Sequence, residues 1–572
     1  MKRILAYLKP YRGKIALALV LVAISTVCNL LLPTFMSWIL NHGIRDGDFP
    51  YIARCCGGML LIAVVSLGTI LWGTKLSTDV VSDFTADLRG DIFRHVQRLT
   101  FEEFSTLGAG ALITRSTHDV STVSWVASML AGTAATIPAL FLGGIALSFL
   151  KDPMLACVLL LFVPFILLLV VRIGKKVVPL WTVSDTYIDR QNDIMRERLR
   201  GIRVIRAFRS EEKEHRRIEE ATHIMAENII RGNVAMGLIS PVATLALNLA
   251  IVLVVYLGGL RIGTGTLQAG DLYAVIEYIT LVMSGVTMAA FAIVMYPRAV
   301  VSAGRIGEVF DAGGAQEPLR DDGRVFRGKI TFRHVTFRYQ GASKPAVNDI
   351  SLEILPGQRV SVIGGTGSGK SSLASLLLGF RSPTEGEVLF DDVPASSLSR
   401  RTLRRNISSV LQNGAIYAGT IRENILMGRP DATDAELREA IEIAQMTEFV
   451  DEYPDGVEHV LEQSGRNLSG GQKQRLSIAR AILKDAPIYL FDDSFSALDF
   501  LTEARLRAAL GEKIRGKTQI VITQRVTSAM SSDCIFVMDN GSLVDCGTHE
   551  ELLSRCRIYQ EIYASQTGGV IA

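Results

Sequence analysis

The sequence predicts an all-α membrane domain of six spanning helices that extend into the cytoplasm, followed by an α/β phosphate-loop domain. Three observations predict it. Long apolar runs crowd the first half of the 572-residue chain. The two longest links between those runs are basic and keep helical periodicity. In the second half, a glycine-rich octapeptide at 364–371 stands between a strand-like run and a helix-like run.

Composition agrees with the first element. Hydrophobic residues make up 49% of the chain and charged residues 20%, less charge than a soluble chain of this length carries. The net charge of +3 gives no reason to expect a nucleic-acid partner. Seven scattered cysteines form no CxxC pair or metal-ligand spacing and read as reduced thiols.

A spanning helix needs roughly 20 mostly apolar residues. Six segments qualify, at about 15–40, 54–74, 130–150, 154–174, 236–260 and 273–296. The first is too long for the core of a cleavable signal and reads as a retained span. Residues 2–11 mix basic and apolar positions and are expected to lie along the membrane surface. Trp38 and Trp72 fall near span ends, where amphipathic rings prefer to sit.

The links after spans 1, 3 and 5 are short, whereas those after spans 2 and 4 run to roughly 55 and 60 residues. Arg89, Arg94, Arg98 and Arg115 mark the first long link; Lys175, Lys176, Arg190 and the arginines from 196 to 217 mark the second. Basic links stay in the cytoplasm, which places the N-terminus and the C-terminal half there too. The stretches 78–99 and 188–208 have helical spacing, so the spans continue beyond the bilayer and end in exposed turns near Phe101–Gly108 and Phe208–Lys213. Within the spans, Glu277 and Asn248 are polar candidates for function, while Asn29 and Pro33 read as packing and kink features.

The membrane domain is therefore assigned to 1–310, a Gly/Asp-rich linker to 311–327, and the second domain to 328–572. In that domain Gly364, Gly365, Thr366, Gly367, Ser368, Gly369, Lys370 and Ser371 follow the run Arg359–Ile363 and open a helix at Ser372. Glycines let backbone N–H groups turn toward phosphate oxygens, and the helix N-terminus adds positive potential. Lys370 would reach the β- and γ-phosphates and Ser371 would ligate Mg²⁺, which makes ATP and Mg²⁺ the expected cofactors. Ile488–Phe491 forms a buried strand that delivers Asp492 to the Mg²⁺ shell and Asp493 to the attacking water. A third motif, Leu468-Ser469-Gly470-Gly471-Gln472, opens a helix and is suited to a γ-phosphate.

With these motifs the chain resembles the half-transporters of the bacterial ABC exporter family, multidrug type, over essentially its full length. The resemblance implies an ATP-binding cassette with a helical subdomain, paired head to tail with a second cassette. ATP would then lie between the phosphate loop of one cassette and the Ser469–Gln472 motif of the other. It further implies that Tyr339 stacks on adenine, that Gln412 touches Mg²⁺ and couples to the membrane domain, and that Ser496–Asp499 crosses the dimer interface. The turns near Phe101–Gly108 and Phe208–Lys213 would be the coupling helices.

Two positions depart from the family pattern. Asp493 stands where the family has Glu, and Gln524 stands where it has the switch His. The shorter carboxylate retreats by about 1–1.5 Å, and a misplacement of that size costs on the order of 10²-fold in rate. Gln cannot supply a charge-assisted bond to the γ-phosphate. The expectation is a heterodimer. This chain holds ATP at a slow site and lends Ser469–Gln472 to a faster site on a partner that carries Glu and His. A homodimer with two slow sites is the alternative. The expected cargo is an amphipathic or drug-like compound, with membrane lipid as a further expected partner; lipid or peptide translocation, siderophore-type import on an exporter scaffold, and an ATP-gated channel or regulator are the competing readings.

Overall fold

The computed structural model describes residues 2–313, 323–412 and 414–567. These fall into two compact units. The first ends at Gly313, and the second comprises the residues after it together with Leu99–Glu103. Part of the expected linker, 314–322, lies outside the described residues.

The first unit is built from six long helices: α1 (Arg3–Ile44), α2 (Phe49–Val96), α3 (Ala109–Lys151), α4 (Pro153–Ala207), α5 (Glu211–Gly263) and α6 (Ala269–Asp311). Helices are forced here because hydrocarbon offers no partner for an unpaired backbone group. Each runs well past its apolar segment, as the periodicity of the long links required. Their burial is uneven: 56% of the apolar window of α6 is buried but only 11% of that of α2. Helix α6 is thus the packed centre, and α2 offers Leu60, Leu61, Val64 and Trp72 outward. Close approach to α6 relies on small residues: a Cβ on Gly144 of α3 would lie 2.4 Å from Val282, and one on Gly285 3.2 Å from Leu140.

Polar groups at one end tie the unit together. Ser37 of α1 and Lys151 of α3 both donate to Asp271 of α6, at 2.8 and 2.7 Å. Asp152 caps α4 by accepting from the backbone of Met154 and Leu155, and its second oxygen takes the Arg261 guanidinium of α5 at 2.7 Å. The first residues do more than lie flat. Tyr7 and Tyr11 donate to Asp91 and Asp87 of α2, both at 2.8 Å, and Arg3 pairs with Asp311 of α6. Hydroxyls at 7 and 11 facing carboxylates at 91 and 87 make this a docked segment. Asn29 accepts from Ser66 at 3.3 Å and Pro33 is buried, both packing roles. Glu277 is half-buried and Asn248 is exposed on its helix.

The second unit is α/β. Strands β1 (Ile330–Phe337), β2 (Val347–Ile354) and β4 (Glu385–Phe390) form an antiparallel sheet in the order β2-β1-β4, extended by the two-residue strand Val393–Pro394. The main sheet contains β3 (Arg359–Gly364), β5 (Ile407–Val410), β6 (Ile488–Asp492), β7 (Thr518–Thr523), β8 (Cys534–Asp539) and β9 (Ser542–Gly547), ordered β9-β8-β3-β7-β6-β5. All its pairs are parallel except β8 with β9. Helix α7 (Lys370–Leu377) follows β3, while α8 (Asp434–Ile443) and α9 (Gly470–Lys484) belong to a helical subdomain whose core joins Leu437, Phe449 and Leu476 to Phe491 of the sheet. Helix α10 (Phe500–Lys513) and the C-terminal α11 (Arg557–Thr567) complete the unit. Leu99–Glu103 also belong here, with the Phe101 ring stacked on Phe380 at 6.2 Å.

A Cβ on Gly270 would sit 2.5 Å from the Ser37 carbonyl oxygen and 2.6 Å from Asn41 Oδ1, and the Gly270 N–H donates to that same Asn41 oxygen at 2.8 Å. Gly270→Ala therefore forces backbone apart and should destabilise the first unit by about 1–3 kcal/mol, read as a lower Tm of the purified protein.

Candidate nucleotide site

Strand β3 lies in the middle of the main sheet, between β7 and β8, and ends in the glycine-rich loop. Two of its glycines are sterically required. A Cβ on Gly364 would lie 2.2 Å from the Met538 carbonyl oxygen; Gly369 has φ +98° and its Cβ would lie 2.4 Å from the Ala346 oxygen. The loop then turns straight into α7, whose N-terminal N–H groups point back across it.

A cavity of about 420 Å³ opens over this loop. Thr366, Gly367, Ser368, Gly369, Lys370, Ser371 and Ser372 form its floor, Tyr339 one side, and Gln412, Asp492, Asp493 and Gln524 the other. The fold thus brings together residues spread over nearly 190 positions, because β6 and β7 are neighbours in register: Asp492 pairs with Ile522, two residues before Gln524. The carbonyls of Gly364 and Gly365 accept from Lys370 Nζ at 2.8 and 2.6 Å, and Ser368 Oγ lies 3.2 Å from it. Burial pushes the Lys370 pKa down, with Asp492 and Asp493 opposing; burial pushes Asp492 up, Asp493 adds to this, and Lys370 opposes.

Asp493 is held in a left-handed backbone conformation, φ +47°. Its N–H donates to the Ile522 carbonyl at 2.8 Å, and its own carbonyl accepts from Ser496 Oγ at 2.9 Å. Ser496 Oγ lies 3.4 Å from Gln474 Nε2 of α9, and the Ala497 N–H donates to Gln474 Oε1 at 3.0 Å. The carboxylate position is therefore wired to the helix that carries the third motif.

That motif lies outside the cavity. Ser469 caps α9 by accepting from the Gln472 N–H at 3.3 Å, and Gln472 Oε1 accepts from the Ser469 N–H at 2.7 Å. Ser469 and Gly470 are exposed, and Gly471 is packed close to the Ala497 carbonyl. Asp499 is likewise elsewhere, capping α10 through the Thr502 N–H at 3.0 Å, a bond that lowers its pKa.

Three contributors were not legible in the sequence. The Arg381 guanidinium lies 4.5 Å over the Tyr339 ring, whose hydroxyl is 3.0 Å from Ser372 Oγ. Arg525 donates to the Ser496 carbonyl at 3.0 Å and pairs with Glu503. Gln566 of α11 clasps the loop after β7: its Nε2 donates to the Gln524 carbonyl at 2.7 Å and its Oε1 accepts from the Val526 N–H at 2.8 Å. No local motif marks Gln566, because its role depends on where α11 docks.

The donor set suits a hard cation. A hydroxyl at Ser371, a carboxylate at Asp492 and an amide oxygen at Gln412 line the same cavity and are the oxygen ligands that Mg²⁺ prefers.

Comparison with known proteins agrees with this geometry. Residues 15–286 match the ABC transporter transmembrane region and residues 347–496 the ABC transporter family. An ABC transporter ATP-binding protein of Mycobacterium tuberculosis is 35% identical over 98% of this chain and 97% of its own length. One from Bacillus subtilis is 34% identical over 99% of both. An ATP-dependent lipid A-core flippase of Chromobacterium violaceum is 28% identical over 99% of this chain and 97% of its own. The solved structure of a bacterial Atm1-family ABC exporter with ATP bound superposes with TM-score 0.85 at 24% identity, covering 98% of this chain and 99% of that one. The chain belongs to the ABC transporter family and has the exporter fold: a multi-pass membrane protein with a cytoplasmic cassette that is an ATPase coupled to transport.

Two outcomes follow for this site. Gln566→Ala removes both bonds to the loop after β7 and should raise hydrogen exchange at the Val526 amide about fivefold. The raised pKa of Asp492 means that the folded protein carries a cost when this carboxylate is ionised. Asp492→Asn should therefore raise the Tm measured without nucleotide at pH 8, and the gain should shrink as pH falls and the wild-type carboxyl takes up its proton.

Proposed function

We propose that this chain is one subunit of an exporter of amphipathic compounds, with a slow ATP site of its own and a signature motif that completes a faster site on a different partner. The observation that carries the reading is the placement of Asp493 and Gln524 together in the cavity that contains Lys370, while Ser469–Gln472 stand outside it with Ser469 and Gly470 exposed.

In this reading Lys370 and the loop N–H groups hold the phosphates, and Tyr339 holds the base. Ser371, Gln412 and Asp492 hold Mg²⁺, which when bound neutralises charge on the β- and γ-oxygens. Asp493 orients the water but falls short by one methylene. Its backbone is pinned at both N–H and carbonyl, so it cannot advance to make up the distance. Gln524 offers the γ-phosphate only a neutral donor. Ser469 and its helix N-terminus, already ordered by the capping box, serve the partner's nucleotide.

Binding of two nucleotides closes the cassettes, and the turns at the ends of α2 and α4 carry that closure into the helices. At the second turn Phe208 is 77% exposed, a free apolar anchor for a partner cassette. Lipid translocation is the second reading, favoured by the full-length similarity to lipid A-core flippases.

The purified chain alone should bind ATP yet turn it over slowly. Asp493→Glu combined with Gln524→His should raise that turnover by at least about tenfold. Brisk hydrolysis by the unsubstituted chain alone would overturn the partner-dependent reading.

A further inference from the structure

A cavity of about 550 Å³ lies within the first unit, where α3, α4 and α6 emerge from their apolar segments. Its walls differ in sign. Along α4 the spacing Trp181, Asp185, Asp189 places one indole and two carboxylates on the same face; along α6 Arg298, Ser302 and Arg305 do the same for two guanidiniums and a hydroxyl. From α3 comes Asp119, at the end of a π-helical turn, Arg115–Asp119.

The charges in this cavity are poorly satisfied. Asp119 is 1% exposed; its Oδ1 accepts from Ser302 Oγ at 2.8 Å, and its Oδ2 has no hydrogen-bond partner among the described residues. Arg305 and Arg298 approach Asp119 and Asp185 only to 3.9 Å, too far for a hydrogen bond. Both guanidiniums are about half exposed, and Asp189 has no ion pair among the described residues. A buried carboxylate oxygen without a donor is costly, and the nearest cations have not come to it.

Arg298 does something else. Its guanidinium lies 4.5 Å over the Trp181 ring, beside Asp185. A cation stacked on indole with a carboxylate at its edge is the arrangement by which proteins recognise organic cations. Here the occupant is a half-exposed side chain that can swing out. The volume suits a drug-sized molecule. The lining residues 178–192 and 297–305 begin within about one turn of the span ends expected from the sequence at 174 and 296, where amphipathic cations gather at an anionic cytoplasmic leaflet.

We propose that this cavity is a binding site for a drug-sized organic cation, which takes the place of Arg298 over Trp181 and is held by Asp119, Asp185 and Asp189. The proposal rests on the transporter reading and names the substrate class for it.

Ethidium serves as the probe, titrated by fluorescence anisotropy into the full-length chain in lipid nanodiscs without ATP. Saturable binding is expected. Asp185→Asn with Asp189→Asn should weaken it about tenfold, and Arg298→Gln should tighten it about threefold by removing the competing cation. Asp119→Asn should also weaken it. If that variant fails to fold, the Arg298→Gln gain still decides, since misfolding does not improve affinity. No saturable binding, affinity indifferent to the paired substitution, or weaker binding in Arg298→Gln overturns the proposal. Ethidium flux into inverted vesicles, with the partner present, separates the two layers: these affinity changes without ATP-driven flux keep the site and defeat the transport reading, whereas flux unaffected by the substitutions does the reverse.

Discussion

The steric fit between β3, the glycine-rich loop and α7 is the constraint on which the cassette depends. Gly364 and Gly369 let the loop pass so close to the Met538 and Ala346 carbonyls that no side chain fits at either place. Because β3 is central, the strands that flank it in the sheet must end near the same loop. Asp492, Asp493 and Gln524 arrive there through sheet register, and Gln412 follows from β5. A chain that disturbed this junction would lose the phosphate cradle, the acidic wall and the loop after β7 together.

The same logic explains what could be read from sequence. The phosphate loop, the Ile488–Asp493 strand and the Ser469–Gln472 motif are contiguous, so their chemistry shows in a few adjacent letters. The six helices were legible because hydrocarbon imposes a length and a composition. The role of Gln566 was not legible, since it follows from the docking of a terminal helix on a loop 42 residues earlier. Arg381 reaches Tyr339 only through the folding of the antiparallel sheet against α7. Residues 2–11 show the same gap: their amphipathic pattern was visible, but the carboxylates of α2 that receive Tyr7 and Tyr11 were not.

The membrane unit divides its polar residues between two ends. At one end Ser37, Lys151 and Asp271 form a compact cluster with short bonds, and Asp152 with Arg261 is equally well made. Partly buried contacts of this quality fix the register of five helices more than they add stability. At the other end the charges of α4 and α6 stand apart. Separation of α4 from α6 at that end would break no such bond, while α1 stays docked there through Tyr7, Tyr11 and Arg3.

The backbone at position 493 sets a limit of its own. Its φ of +47° is a conformation that short polar side chains tolerate best, because they can bond to nearby backbone. A longer acid there would gain reach and bring torsional strain with it, so reach and backbone ease are traded against each other at a single residue.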